Sequence, residues 1–142
     1  IRITVRERSQ VLILCNGQDC FEVDASGYAY QKITRPLDKV ALIDEKNLKV
    51  NEADKLFSES FIAFYLTALE ELDNSSIKLS EARMQETSFK IQFITKEGWS
   101  IIMDSSASLP NQMSAVKQII EKNKQDIHEY IDVRVEGVAY IK

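Results

Sequence analysis

Few residues in this chain have the types and spacing that chemistry requires, and the two thiols come first. Cys15 and Cys20 flank Asn16-Gly17-Gln18-Asp19. They read either as small, half-buried residues of a reducing compartment or as a disulfide across a hairpin. The turn decides between geometries. With Gly17-Gln18 as the central pair of a type II′ turn, Asn16 and Asp19 close the loop. Cys15 then faces Cys20 as a non-hydrogen-bonded pair, where side chains lie closest. With Asn16-Gly17 as a type I′ turn, Cys20 faces Ile13 instead. A loop this small would gain only about 2 kcal/mol from closure. Two thiols and one histidine are a poor set for zinc, and no metal site is expected.

Other reactive types are no better placed. His128 lies in DIHEY beside Glu129 and reads as structural or solvated. Asp44-Glu45 and Glu70-Glu71 are sequence neighbours, so on a strand or a helix they diverge and cannot share a proton. Ser105-Ser106 have no histidine nearby in sequence to activate them. Only four glycines occur, none in GxGxxG or a phosphate-cradling loop. Neither an enzyme nor a cofactor is expected. Trp99, beside Gly98, offers a flat ring to a sugar or peptide. It supports a second reading, an extracytoplasmic ligand- or wall-binding module with a groove near Trp99, although packing is the simpler role for a tryptophan at a turn.

The chain that must position these residues has 142 of them, suited to one domain with a real core. Apolar residues make up 44% and charged ones 28%, the balance of an ordinary folded protein. The net charge of −4 and the scattered basic residues argue against nucleic acid, which calls for gathered Lys and Arg. No apolar run approaches the roughly 20 residues of a membrane span. The first residue is Ile rather than Met, so the chain reads as a piece of something longer.

Alternation of apolar and polar residues predicts strands at Ile1–Val5, VLIL (11–14), CFEVD (20–24), YAYQKI (28–33) and KVALIDEKN (39–47). A turn is expected at Asp24-Ala25-Ser26-Gly27. In FSESFIAFYLTALEEL, Phe57, Phe61, Ile62, Tyr65, Leu66, Leu69 and Leu72 share one helical face, with Ser58 as N-cap and Asp73-Asn74-Ser75-Ser76 as stop. IKLSEARM, SFKIQFI and GWSIIMD follow as strands, the last two joined at Thr95-Lys96-Glu97-Gly98. Phe89, Ile91 and Phe93 are expected to share a face, with Trp99, Ile101 and Met103 returning. Ser108-Leu109-Pro110 opens a second helix whose stripe is Leu109, Met113, Val116, Ile119 and Ile120. YIDVRVEGVAYIK closes the chain, with Ile131, Val133 and Val135 alternating against Asp132, Arg134 and Glu136 around a dry face. The expected fold is α+β, a largely antiparallel sheet with two main helices packed on it and a C-terminal edge strand.

Three separated pieces resemble the FtsQ/DivIB family of bacterial cell-division proteins. ITVRERSQVLIL with FEVDASGYAY is similar to the family's junction and first hairpin, through Glu7-Arg8, Val23-Asp24, Gly27 and Tyr30. FKIQFITKEGWSIIMD and the helix SLPNQMSAVKQII resemble its middle hairpin and following helix. YIDVRVEGVAYIK resembles its closing "D-x-R", turn and last strand. Gln10 stands where the family often has proline, residues 36–56 match little, and the two cysteines are not a family feature. The resemblance implies that residues 1–13 are the last strand of a POTRA-like domain with the junction, and residues 14–142 the β domain. It also implies a parent protein anchored by an N-terminal membrane helix, with this domain on the extracytoplasmic side at the division septum. No enzymatic activity goes with the family. Its role is a divisome scaffold that binds FtsB/DivIC-type and FtsL-type proteins, the partner adding a strand to the last strand here. The site residues so implied are Asp132, Arg134, Gly137, Val138, Ala139, Tyr140, Ile141 and Lys142, with Arg134 meeting an acidic partner residue, Tyr140 the chief anchor, and Lys117 a second basic contact.

Overall fold

The computed structural model describes residues 1–4, 12–17, 19–46, 49–84 and 89–142. Among these residues the strands are β1 (Leu12–Asn16), β2 (Asp19–Val23), β3 (Ala29–Ile33), β4 (Leu42–Asp44), β5 (Leu79–Met84), β6 (Lys90–Thr95), β7 (Ser100–Asp104), β8 (Tyr130–Val135) and β9 (Val138–Ile141). Helix α1 (Glu59–Asn74) lies between β4 and β5, and α2 (Leu109–Asn123) between β7 and β8. All nine strands form one sheet in the order β3-β2-β1-β4-β5-β6-β7-β8-β9. The fold is α+β, and most neighbouring strands are antiparallel. Parallel pairs join β1 to β4, β4 to β5 and β7 to β8. The last two are those bridged by the helices, because parallel neighbours need a long crossover that a tight turn cannot supply.

The strand expected from Ile1 is absent from its described part: residues 1–4 are irregular and exposed. Val5, the Glu7-Arg8 pair, Gln10 and Val11 lie outside the described residues, as do Gln18, Asn47 and Ser88.

Alternation along the strands sends one set of side chains to the helices. Leu12, Leu14, Leu42, Ala82, Ile91, Phe93, Ile101, Met103, Ile131 and Val133 meet Phe61, Ile62, Tyr65 and Leu72 of α1 and Leu109, Met113, Val116 and Ile119 of α2 in one core. Leu66, Leu69 and Ile120, expected on the helical stripes, are partly buried against it. Phe89, expected to share the face of Ile91 and Phe93, stands exposed because β6 begins only at Lys90. Both helices carry the expected N-caps, Ser58 accepting from the Phe61 N–H and Ser108 from that of Asn111.

The hydroxyl of Tyr65, deep in this core, has no hydrogen-bond partner among the described residues. Burial accordingly pushes its pKa up, well beyond the ordinary phenol range. Removing an unsatisfied buried hydroxyl removes its desolvation cost, so Tyr65→Phe is expected to raise stability by about 1 kcal/mol in urea unfolding. The raised pKa belongs to the folded state alone. The native protein therefore holds a proton that the unfolded chain releases, and wild-type stability is expected to fall as pH rises past about 10. In Tyr65→Phe that part of the alkaline loss should vanish.

On the opposite face a smaller cluster gathers Ile13, Cys15, Cys20 and Ala41. Asn16 stands opposite Asp19 and Cys15 opposite Cys20, so of the two registers open to the sequence the one that sets the cysteines face to face is adopted. The two cysteines are joined in a disulfide, with their Cα atoms 4.1 Å apart. Reduction is expected to cost about 2 kcal/mol, measured as the change in urea midpoint with and without dithiothreitol.

A clasp holds the β2–β3 hairpin to the segment before α1. Asp24 accepts the N–H groups of Ser26 and Tyr28 on Oδ1, and its main-chain oxygen takes the Gly27 N–H, so the aspartate builds the turn. Gly27 then offers its carbonyl to the N–H groups of Leu56 and Phe57. Next to it Ala29 donates to Asp54 and accepts from Ala53. The segment that resembled nothing recognisable is thus, from Ala53 onward, a strap bonded to the start of β3.

Candidate partner-binding edge

A sheet that does not close has two edges, and here they differ. The β3 edge is partly covered, since the strap pairs with Ala29 and Tyr28 bridges to Lys55. Lys32 on that strand is engaged by Asp19 at 3.1 Å. The β9 edge has β8 on one side and, among the described residues, no strand on the other.

The register of β9 fixes which of its main-chain groups face outward. Tyr130 and Lys142 exchange both main-chain bonds, at 2.9 and 3.0 Å. Antiparallel ladders alternate, so Tyr140, paired with Asp132, also points its N–H and C=O at β8. Ala139 and Ile141 therefore direct theirs to the open side. The end of the strand is anchored: the Lys142 oxygen also accepts from His128 at 3.0 Å and Glu129 at 2.5 Å, and the Lys142 ammonium pairs with Glu129 at 3.1 Å. Here His128 serves through its main chain.

Side chains around this edge are unusually apolar for a surface. Val135 is 56% exposed, Val138 44%, Tyr140 57% and Ile141 38%. Val135 was expected on the dry face with Ile131 and Val133. It is exposed instead, at the hairpin tip, where the β8–β9 pairing changes step after Asp132 and Val135 pairs with Val138.

Beside the hairpin, α2 forms the far wall of an open groove of about 410 Å³. The hairpin contributes Val133 to Ala139, Gly137 included, and the helix Ser114, Ala115, Gln118 and Lys122. Helix α2 is fixed relative to the sheet by Gln112, which is buried. Its side-chain oxygen takes the Asp104 N–H at 2.8 Å, and its amide donates to the Asp104 carbonyl at 2.9 Å. Asn111 reaches across to Glu136 at 3.3 Å, tying helix to hairpin turn.

The residues that sequence reasoning named for this site fall at different places. Gly137, Val138 and Ala139 line the groove, while Tyr140, Ile141 and Lys142 continue the edge beyond it. Lys117 is exposed on α2 but does not line the groove; Lys122 does. Arg134, expected to await an acidic residue from outside, already holds one: its Nη2 lies 2.8 Å and its Nε 3.0 Å from the Asp132 carboxylate. Burial alone would push the Asp132 carboxyl up, but hydrogen bonds from the Arg134 side chain and main chain, with its charge, outweigh this and hold it below the usual carboxylate range. Val135, Lys122 and the small α2 residues Ser114 and Ala115 were missed. Their pattern is that of any solvated helix or strand, and only packing joins them to one groove.

Trp99, the centre of the alternative reading, is 8% exposed and donates its indole N–H to Glu97 at 3.2 Å. It lines neither this groove nor the smaller one of about 240 Å³ near Phe57 and Phe89. Ser106 donates both N–H and hydroxyl to Asp104. No cluster of three or more His, Cys, Asp or Glu suited to a metal occurs among the described residues, and none of their helices is long and apolar enough to cross a membrane.

No family model and no curated protein sequence matches the chain. Among solved structures it is similar to the major extracytoplasmic domain of the trans isomer of the bacterial cell division protein DivIB from Geobacillus stearothermophilus, at 14% identity and a TM-score of 0.47, over 87% of this chain and 100% of that one.

Proposed function

We propose that this chain is a non-enzymatic divisome scaffold of the FtsQ/DivIB kind. It holds FtsB/DivIC-type and FtsL-type partners on the extracytoplasmic side of the membrane during septum formation, and it does so by accepting a partner strand on β9. One observation carries the reading: the outward N–H and C=O groups of Ala139 and Ile141 form an open row flanked by exposed Val138, Tyr140 and Ile141. Natural sheets normally blunt such an edge with charge, proline or a covering loop, and an edge left apolar suits strand addition. The ordered set of sequence motifs supports the choice of partner class. The disulfide suits a compartment outside the cytoplasm, where such bonds persist. Residues 1–13 are taken as the end of a preceding POTRA-like domain. Because Arg134 is engaged by Asp132, the grip on a partner rests first on main-chain bonds and on Tyr140, with Arg134, Lys117 and Lys142 as secondary charged contacts.

The test uses the extracytoplasmic segments of the FtsB/DivIC-type and FtsL-type proteins encoded in the same genome as this chain. Tyr140→Ala is expected to weaken their capture by about 2 kcal/mol, roughly 30-fold, the loss usual for a tyrosine anchor. Circular dichroism should be unchanged, since Tyr140 is exposed and lies outside both core clusters. Capture of Tyr140→Ala at wild-type strength would count against the reading.

A further inference from the structure

Along β8 the pairing with β9 loses its step. Ile131 faces Ile141 and Asp132 faces Tyr140, yet Val135 faces Val138. Val133 and Arg134 together stand against Ala139 alone, which is a β-bulge. Its cause is on the same strand. By alternation from Tyr130 and Asp132, Arg134 is the next residue whose N–H should bond across to β9, and its partner would be Val138. That N–H instead donates to Asp132 Oδ1, at 3.1 Å. A side-chain acceptor two residues back has taken a ladder donor, the competition that aspartate is suited to win.

The capture has a consequence for the surface. With Arg134 withdrawn from the ladder, Val135 becomes the partner of Val138, and only Glu136 and Gly137 remain to turn the chain. Two valines then stand side by side at the tip of the edge hairpin, both exposed and both lining the groove beside α2. Without the bulge the ladder would run on through Val133–Ala139 to Arg134–Val138. A guanidinium would stand opposite Val138, and Val135 would fall into a three-residue loop.

We propose that Asp132 is a positioning residue for the docking edge: its carboxylate, by accepting the Arg134 main-chain N–H, sets an apolar Val135–Val138 pair at the hairpin tip in place of an arginine. The proposal rests on the edge-strand reading for its meaning, but its structural half can be tested without a partner. Asp132→Asn keeps a side-chain oxygen for the Arg134 N–H and loses the charge, whereas Asp132→Ala loses both. Cross-strand amide–amide contacts in nuclear magnetic resonance report the register directly. The wild type and Asp132→Asn are expected to give the 135–138 contact, and Asp132→Ala the 134–138 contact. Capture of the two partner segments should be at least about tenfold weaker in Asp132→Ala than in Asp132→Asn. A 135–138 contact persisting in Asp132→Ala overturns the proposal. So does a shifted register in Asp132→Asn, or Asp132→Asn losing capture with its register intact, which would make the charge itself the contact. If instead the unsubstituted protein captures neither segment while the registers behave as stated, the edge reading fails and the positioning role stands.

Discussion

Gly27→Val is expected to be the most damaging single substitution in the β2–β3 hairpin, costing about 3–5 kcal/mol. Two effects add. Gly27 sits at φ +87°, in the left-handed region, where a side chain costs about 1–2 kcal/mol. A Cβ placed there would also lie 1.9 Å from the Phe57 carbonyl oxygen and 2.8 Å from its carbon. Those are main-chain atoms, so relief comes only by moving the strap away. Moving it breaks the bonds from Leu56 and Phe57 to Gly27. It also pulls on a stack of rings that runs from Phe57 to Phe61 (4.7 Å between centroids), Tyr65 (6.4 Å) and Phe93 (6.1 Å). For a domain of this length the expected fall in Tm is on the order of 10 °C. Gly137 is the control. Its φ is +74°, but a Cβ there meets nothing within 4 Å, so Gly137→Ala should lose only the conformational part, about 1–2 kcal/mol. Equal losses at the two glycines would mean that the contact with Phe57 contributes nothing.

Ala139→Pro is expected to separate binding from folding. Proline removes a main-chain donor, which in a central strand costs a ladder bond but on an edge costs only an outward group. Register directs the Ala139 N–H to the open side, so the bonds between β8 and β9 survive, and thermal unfolding should move by no more than a few degrees. A partner strand would lose a bond in the middle of its short row and meet the pyrrolidine ring as well. Capture of the FtsB/DivIC-type segment should drop below detection, a loss of at least about 1.4 kcal/mol for each tenfold. Loss of the fold would show that Ala139 faces β8 after all, and undiminished capture would remove β9 as the docking strand.

Much of the architecture could be read from periodicity because burial enforces it. The stripes of the two helices, their serine caps, and the buried alternation of Ile91-Phe93 and Ile101-Met103 follow from residue spacing alone. Two errors share one cause. Val135 fits a period of two and Phe89 continues one, yet both are exposed, since alternation says which side chains agree with each other and not where pairing stops or slips. The hairpin of Cys15 and Cys20 makes the same point. Its two candidate registers differ by two residues and leave every side chain on the same face, so the hydrophobic pattern could not choose between them. Pairing of Cys15 with Cys20 did.

By itself, then, the sequence determined both helices, most of the strands and their buried faces, and the presence of a last strand with apolar side chains. Those depend on neighbours a few residues apart. The tertiary structure alone decided that β4 enters between β1 and β5, that Gly27 closes on Phe57, and that β9 has no second neighbour among the described strands. Each of these depends on which surfaces meet after the chain has crossed the sheet, and no local pattern of residues carries that information.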